Sequence, residues 1–351
     1  MGKFLLFSDL HIHPHKRKNE RLEDCLKALE WVFEVALKNN IKDIIFGGDL
    51  FQNREKIEIY TYQRTFETLK KCLTKDVNLY LLLGNHDLWF NDKTDVSSVY
   101  PLSALPGVRV ISKPERLLIS DSYWDFIPFT HDPIKTLEEL KDMEGKQEYA
   151  IGHIAVDGAV LHGSQYSDVA IEHDGDMVTI SPKLFKGYKH TFLGHYHAEQ
   201  RVSKTVEYIG SPLQLSFGEA FQEKHIIIFD GKTGEKDYVK NTFSPVHLII
   251  PIEEKDKYSL EGNFVQLKVD NLGSTDLLSM KKDILNSANI GSLEIKQAKK
   301  KIEENVIQDA RSILYKGEIM LSKFIEENGN KDLDKDVLLE IGKLICQKEM
   351  K

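Results

Sequence analysis

The 351-residue chain is predicted to be an α/β protein, on three features of its sequence. Short apolar runs alternate with stretches of helical period from the first residues to about position 230. Histidines and aspartates recur directly after those runs. Past Pro245 the composition changes and a second, smaller set of strand-like and helix-like segments begins. Strand, helix and strand in succession is the pattern of parallel βαβ units, in which helices cover a sheet.

The run at 4–7 reads as a buried first strand rather than a signal segment, because no basic region precedes a long apolar stretch and Asp9 and His11 interrupt it at once. Leu6 stands where a myristoylation signal needs Ser or Thr. Helical spacing follows over 22–37, then a strand-like run at 44–46, a second helical stretch at 60–73 and a run at 77–83. Beyond Gly107 the runs, among them 149–151, 191–193 and 226–229, lie closer together, which predicts an antiparallel or mixed second half. Asp230-Gly231-Lys232-Thr233-Gly234 reads as a turn between two strands. Segments 247–252 and 264–269 read as strands, 274–287 as a helix and 292–295 as one more strand, together a small α/β module. Lys299-Lys300-Lys301 opens a charged helical stretch to about 327 whose seam is Ile307, Ala310, Leu314, Leu321 and Phe324. After the Asn328-Gly329-Asn330 break, Val337, Ile341, Leu344 and Ile345 mark a last helix.

Composition narrows the class. Apolar residues make up 41% and charged residues 29%, as in globular proteins. No run approaches the roughly 18 apolar residues of a membrane helix, so no membrane association is expected. Cys25, Cys72 and Cys346 are far apart and odd in number, which predicts a reduced cytoplasmic protein without a disulfide framework. The net charge, 47 − 55 = −8, argues against non-specific coating of nucleic acid by this chain. A local groove and bound cations can still reverse the field where it matters.

The chemistry is carried by residues at the ends of the runs. Asp9-Leu10-His11 follows the first and Gly47-Gly48-Asp49 the second. Gly84-Asn85-His86-Asp87, Gly152-His153 and Gly194-His195-Tyr196-His197 follow later ones. In an open α/β sheet the carboxyl ends of strands face one crevice, so these motifs can meet. Asp9 and His11, two apart, are expected to point the same way along extended chain, as are His195 and His197. The glycines before Asp49, Asn85, His153 and His195 are expected to permit unusual backbone angles and close approach. Donors from Asp9, His11, Asp49, Asn85, His153, His195 and His197 are too many for one tetrahedral ion. They suit two first-row cations roughly 3.5–4 Å apart sharing a carboxylate, the geometry of phosphate ester hydrolysis. One such histidine alone is more commonly an ordinary hydrogen-bonded residue; the set is what carries weight. His13, His15, His131, His162, His173, His190, His225 and His247 lack this context.

In this order the motifs resemble the calcineurin-like metallophosphoesterase superfamily over about the first 230 residues. Gly48-Asp49-Leu50-Phe51, Ile127-Pro128-Phe129 and the segment from Gly210 to Glu219 are similar to segments of SbcD (Mre-eleven) nucleases, in the compact form of bacteria and phages. The resemblance implies a four-layer α/β/β/α sandwich at 1–240, a DNA-capping domain at 245–298 and C-terminal helices at 299–351 that bind an SbcC-type ATPase. It implies that Asp9, His11 and His197 hold one metal and Asn85, His153 and His195 the other, with Asp49 bridging. His86 becomes the general acid or charge stabiliser. Asp87 either orients it or caps the following turn, and Ser211 and Phe217 are expected to contact DNA. Gln52 stands where relatives commonly carry an acidic residue or a histidine that orients the acid histidine. It is either a neutral substitute in that role or a solvent-exposed bystander. The implied function is a manganese-dependent 3′-to-5′ exonuclease and endonuclease with two Mn²⁺ per chain (Mg²⁺ or iron as substitutes). The chain is then expected to form a homodimer, to act on double-stranded ends and single-stranded DNA, and to serve break repair and recombination. Two other classes compete: a metallophosphoesterase acting on a non-DNA phosphoester, and a non-catalytic scaffold for the ATPase.

Overall fold

A computed structural model describes residues 2–14, 20–73, 76–90, 93–160, 178–270 and 273–297. The chain divides into two compact units, Met1–Gln297 and Ala298–Lys351. The helices expected within 299–351 lie outside the described residues.

The first unit begins with β1 (Lys3–Phe7), α1 (Glu20–Lys38), β2 (Asp43–Phe46), α2 (Ile59–Cys72), β3 (Asn78–Leu82) and β4 (Val108–Ile111). There follow β5 (Glu115–Ile119), β6 (Ser122–Ile127), α3 (Pro133–Lys141), β7 (Tyr149–His153), β8 (Ala155–Val156) and β9 (Thr179–Ile180). Next come β10 (His190–Gly194), β11 (Gln200–Arg201), β12 (Val206–Tyr208), β13 (His225–Asp230) and β14 (Lys236–Lys240). The unit closes with β15 (His247–Pro251), β16 (Phe264–Val269), α4 (Ser274–Ser287) and β17 (Ser292–Gln297).

Two six-stranded sheets face each other, in the orders β14-β13-β1-β2-β3-β4 and β11-β12-β10-β7-β6-β5. The strand period of two builds the layers. In β1, Leu5 and Phe7 join the cluster that receives Leu26, Leu29 and Val32 of α1, while Phe4 and Leu6 turn to the space between the sheets. Trp124, Phe126, Phe192 and Phe229 fill that space with them, Trp124 meeting Phe4 edge-on at 4.9 Å. The outer face of the second sheet carries Leu137 and Leu140 of α3. Helices, sheet, sheet and helix give the expected four layers.

The second sheet is mixed, as the spacing past Gly107 predicts: β5–β6 and β11–β12 are antiparallel and the other pairs parallel. Ile127 ends β6, and Pro128 and Phe129 follow it. Proline cannot donate to a ladder. Residues 247–297 form an all-parallel sheet, β15-β16-β17, whose apolar cluster includes Leu248, Val265, Leu267, Ile284 and Leu293.

Candidate metal centre

The end of β7 and the loops after β1, β2, β3 and β10 bring the seven predicted donors together. Asp9, His11 and His197 form one group whose ligand atoms lie within 4.8 Å of one another; Asp49, His153 and His195 form a second. Asp9, His11, Asp49, Asn85 and His153 are all buried, at no more than 3% exposure, where a carboxylate without a cation would be costly.

The reason these side chains converge is not the one the spacing suggests. Asp9 and His11 are not in extended chain: their φ angles are 55° and 48°, and Asp49 and His195 also lie at positive φ, 63° and 98°. Non-glycine residues rarely adopt this region, and such strain persists only where the surroundings fix it. Backbone hydrogen bonds do so here, Asp9 N–H donating to Gly48 O (2.9 Å) and His11 N–H to Asp49 O (3.1 Å). Among the motif glycines, Gly48 has positive φ, at 105°. Gly84 acts by close approach instead, since a Cβ there would strike the carboxylate of Asp49.

Asp49 has two different oxygens. Oδ1 accepts the backbone N–H of His86 at 2.8 Å, while Oδ2 faces Nε2 of His153 at 3.2 Å and Nε2 of His11 at 3.6 Å. That places Oδ2 between the two donor groups. Among the described residues, both ring nitrogens of His11 are buried without a hydrogen-bond partner, although Nε2 lies 3.9 Å from Asp9 Oδ1. Orphaned buried nitrogens separated from carboxylates by 3.6–3.9 Å fit donors arranged around a cation at about 2.0–2.2 Å from each. Burial and the neighbouring His197 hold His11 well below its ordinary pKa, and burial with His153 pushes His195 down to about 3. Both are therefore neutral, the form that ligates metals. Asp49 is held well below the carboxylate range because the surrounding histidines, His153 first, outweigh its burial. The donor set is compatible with a divalent metal site.

His153 Nδ1 donates to Gly47 O at 2.8 Å, leaving Nε2 toward Asp49 and, at 2.9 Å, Asn85 Oδ1. His86 is half-buried and its ring stands 4.8 Å from that of His11. With His11 and Asp49 it forms a third group within ligand distance, so proximity alone does not separate it from the metal donors. Its Nδ1 donates to the backbone carbonyl of Gln52 at 2.6 Å, which fixes the tautomer. Residue 52 thus reaches the histidine through its main chain. The Asp87 carboxylate accepts N–H bonds from Asp49 (2.8 Å), Leu50 (2.9 Å) and Gly84 (3.0 Å). It joins two loops rather than orienting His86 or capping the turn that follows.

In the Gly210–Glu219 segment Ser211 is buried, and its hydroxyl is engaged by His197 O, Glu219 and Lys224. Phe217 is half-buried, with its ring edge-on to His247 at 5.0 Å, linking this segment to β15. Sequence reasoning misses Glu219 and Lys224 as parts of the site. Glu219 Oε1 accepts from His197 Nδ1 at 3.0 Å, and Lys224 Nζ lies 2.6 Å from Oε2. Glu219 does occur in the quoted segment, but nothing in the chain pairs it with a histidine 22 residues away.

Fold and site define a class: a two-sheet α/β sandwich with nitrogen and oxygen donors at the strand ends, suited to metal-assisted phosphoester hydrolysis. Residues 2–199 match the calcineurin-like phosphoesterase family, and the chain belongs to it. It is 25% identical over 219 residues to exonuclease subunit 1 of Enterobacteria phage T4, covering 62% of this chain and 61% of that protein. It is 23% identical over 268 residues to the SbcD subunit of nuclease SbcCD from Bacillus subtilis, covering 67% of each. With the SbcD subunit from Escherichia coli K12 it shares 23% over 300 residues, 75% of this chain and 74% of the relative. Among the described residues no helix is long and apolar enough to cross a membrane.

Proposed function

We propose that this chain is a DNA nuclease, hydrolysing phosphodiesters with two divalent cations, manganese in the first instance. One observation carries the reading: Asp49 Oδ2 stands between two groups of donors that share no other residue. Asp9, His11 and His197 would hold one ion and Asn85, His153 and His195 the other, with Asp49 common to both. When bound, such a pair activates a water and neutralises phosphate charge.

The protein's own groups do the rest. Asp49 is steadied by His86 N–H, and the Asp87 carboxylate holds the Asp49 and Gly84 turns together. His86, anchored through Nδ1, is left with Nε2 free to deliver a proton to the leaving oxygen. Kinship with proteins named as exonuclease and SbcCD nuclease subunits supports DNA, at ends and in single strands, as the substrate. It also supports exonuclease and endonuclease cleavage for break repair and recombination, beside an SbcC-type ATPase and as a homodimer. In this reading 1–240 is the nuclease domain, 245–298 caps the DNA, and 299–351 binds the ATPase.

The test is incubation of end-labelled duplex and single-stranded DNA with manganese, with magnesium and with chelator. A generic bis-aryl phosphodiester and a phosphopeptide run in parallel. Manganese-dependent DNA cleavage is expected. Turnover of the small diester without DNA cleavage returns the non-DNA phosphoesterase, and no turnover of any ester returns the scaffold.

A further inference from the structure

His197 differs from its neighbours in what holds its second nitrogen. His153 and His86 donate Nδ1–H to backbone carbonyls, Gly47 O and Gln52 O. His197 donates to a carboxylate, Glu219 Oε1, at 3.0 Å. That carboxylate is 5% exposed and fully engaged: Oε2 accepts from Leu215 N–H (3.1 Å) and Ser211 Oγ (3.3 Å) and pairs with Lys224 Nζ at 2.6 Å. Lys224, itself 6% exposed, donates from the same ammonium to His197 O at 2.7 Å. The ligand is therefore gripped at both ends, its ring by Glu219 and its backbone by the cation that neutralises Glu219.

We infer that Glu219 is a positioning residue for His197, built with Lys224 into a buried ion pair that aims His197 Nε2 at the Asp9–His11 half of the centre. A carboxylate behind a ligating imidazole fixes its tautomer and raises its basicity, and losing such a partner costs about 10–100-fold in metal affinity. A backbone carbonyl supplies the first effect and less of the second. The two halves of the centre should accordingly differ: the half containing His197 depends on Glu219, and the half containing His153 does not.

The inference rests on the two-metal reading, and its test is metal binding rather than cleavage. Metal-free protein is titrated with manganese by calorimetry, with free Mn²⁺ followed by its electron paramagnetic resonance signal. Wild type should take two ions. Glu219→Gln should weaken one of them about 10–100-fold and leave the other unchanged. Because that variant strands Lys224, it is paired with Glu219→Gln/Lys224→Met, which removes both charges. The double variant should recover the metal-free melting temperature and keep the single-ion defect. If it binds both ions as wild type does, Glu219 merely neutralises Lys224 and the inference fails; equal weakening of both ions also overturns it. A wild-type chain that binds no manganese sinks the inference and the metal reading together. Two bound ions without DNA cleavage would sink only the nuclease reading.

Discussion

At the scale of single residues, His86 and Gln52 make separable predictions. His86 lies against His11 and is anchored through Nδ1 by a backbone carbonyl, an arrangement that serves a proton donor and a ligand alike, so its variant decides between the two. His86→Ala should bind metal and duplex normally while cleavage falls by about 10²–10⁴, the usual loss for a general acid. Release of a metal ion by this variant would move His86 into the ligand set. Gln52 touches that imidazole with its backbone oxygen, which any residue possesses. Gln52→Ala should thus leave the pH–rate profile where it stands, against the expectation that a neutral amide here replaces an acidic side chain. A displaced profile would show that the amide itself acts on His86.

Among the elements, the loops between strand ends hold the site, and they depend on Asp87. Its carboxylate satisfies three backbone N–H groups drawn from two loops. Leaving a buried donor unpaired costs about 1–3 kcal/mol. Asp87→Ala should therefore lower metal-free stability by about 3 kcal/mol or more, read by denaturant unfolding without metal, and a loss below about 1 kcal/mol would show that the loops hold without it. This level also marks what is legible in the sequence. The strand-end motifs, the βαβ order and helix 274–287 can be read because period and residue type report them locally. Helix α3 is short and its Asp132-Pro133 start, a side-chain cap followed by proline in the first turn, is the signal that could have found it. The convergence of Asp9 with His11 is expected from spacing for the wrong reason, because left-handed backbone held by a neighbouring loop leaves no pattern in one segment. Glu219 and Ser211 escape a linear reading likewise, since their partners lie far along the chain.

Across the whole molecule, the two sheets are joined at one end by charge as well as by aromatic packing. Glu207 of β12, fully buried, meets His190 of β10 at 3.3 Å and Lys236 of β14, in the other sheet, at 2.6 Å. Burial alone would raise its pKa, but the bonds to His190 and Lys236 outweigh it and leave it below the ordinary carboxylate value. A lowered folded value means that the pair stabilises at every pH above the unfolded value of about 4.3 and fades as pH falls through the folded one. Glu207→Ala should cost on the order of 3 kcal/mol at pH 7, where breaking a buried pair is felt. The gap from wild type should narrow below about pH 4 in acid titrations of unfolding. A gap that persists unchanged at low pH would assign the cost to packing alone. The second whole-molecule prediction concerns 299–351. The first unit, Met1–Gln297, contains both sheets, the three-stranded sheet and their apolar clusters. The seam of Ile307, Ala310, Leu314, Leu321 and Phe324 lies in the second unit, Ala298–Lys351. A pair of short amphipathic helices, as the sequence suggests here, must either fold back on its own domain or enter a partner's groove. Truncation after Ala298 should leave a folded, metal-dependent enzyme that no longer co-purifies with an SbcC-type ATPase. Leu314→Asp with Leu321→Asp should do the same with less disturbance to the chain. Full retention of the ATPase by the truncated protein, or failure of that protein to fold, would replace docking with packing of the C-terminal helices on the chain's own capping domain.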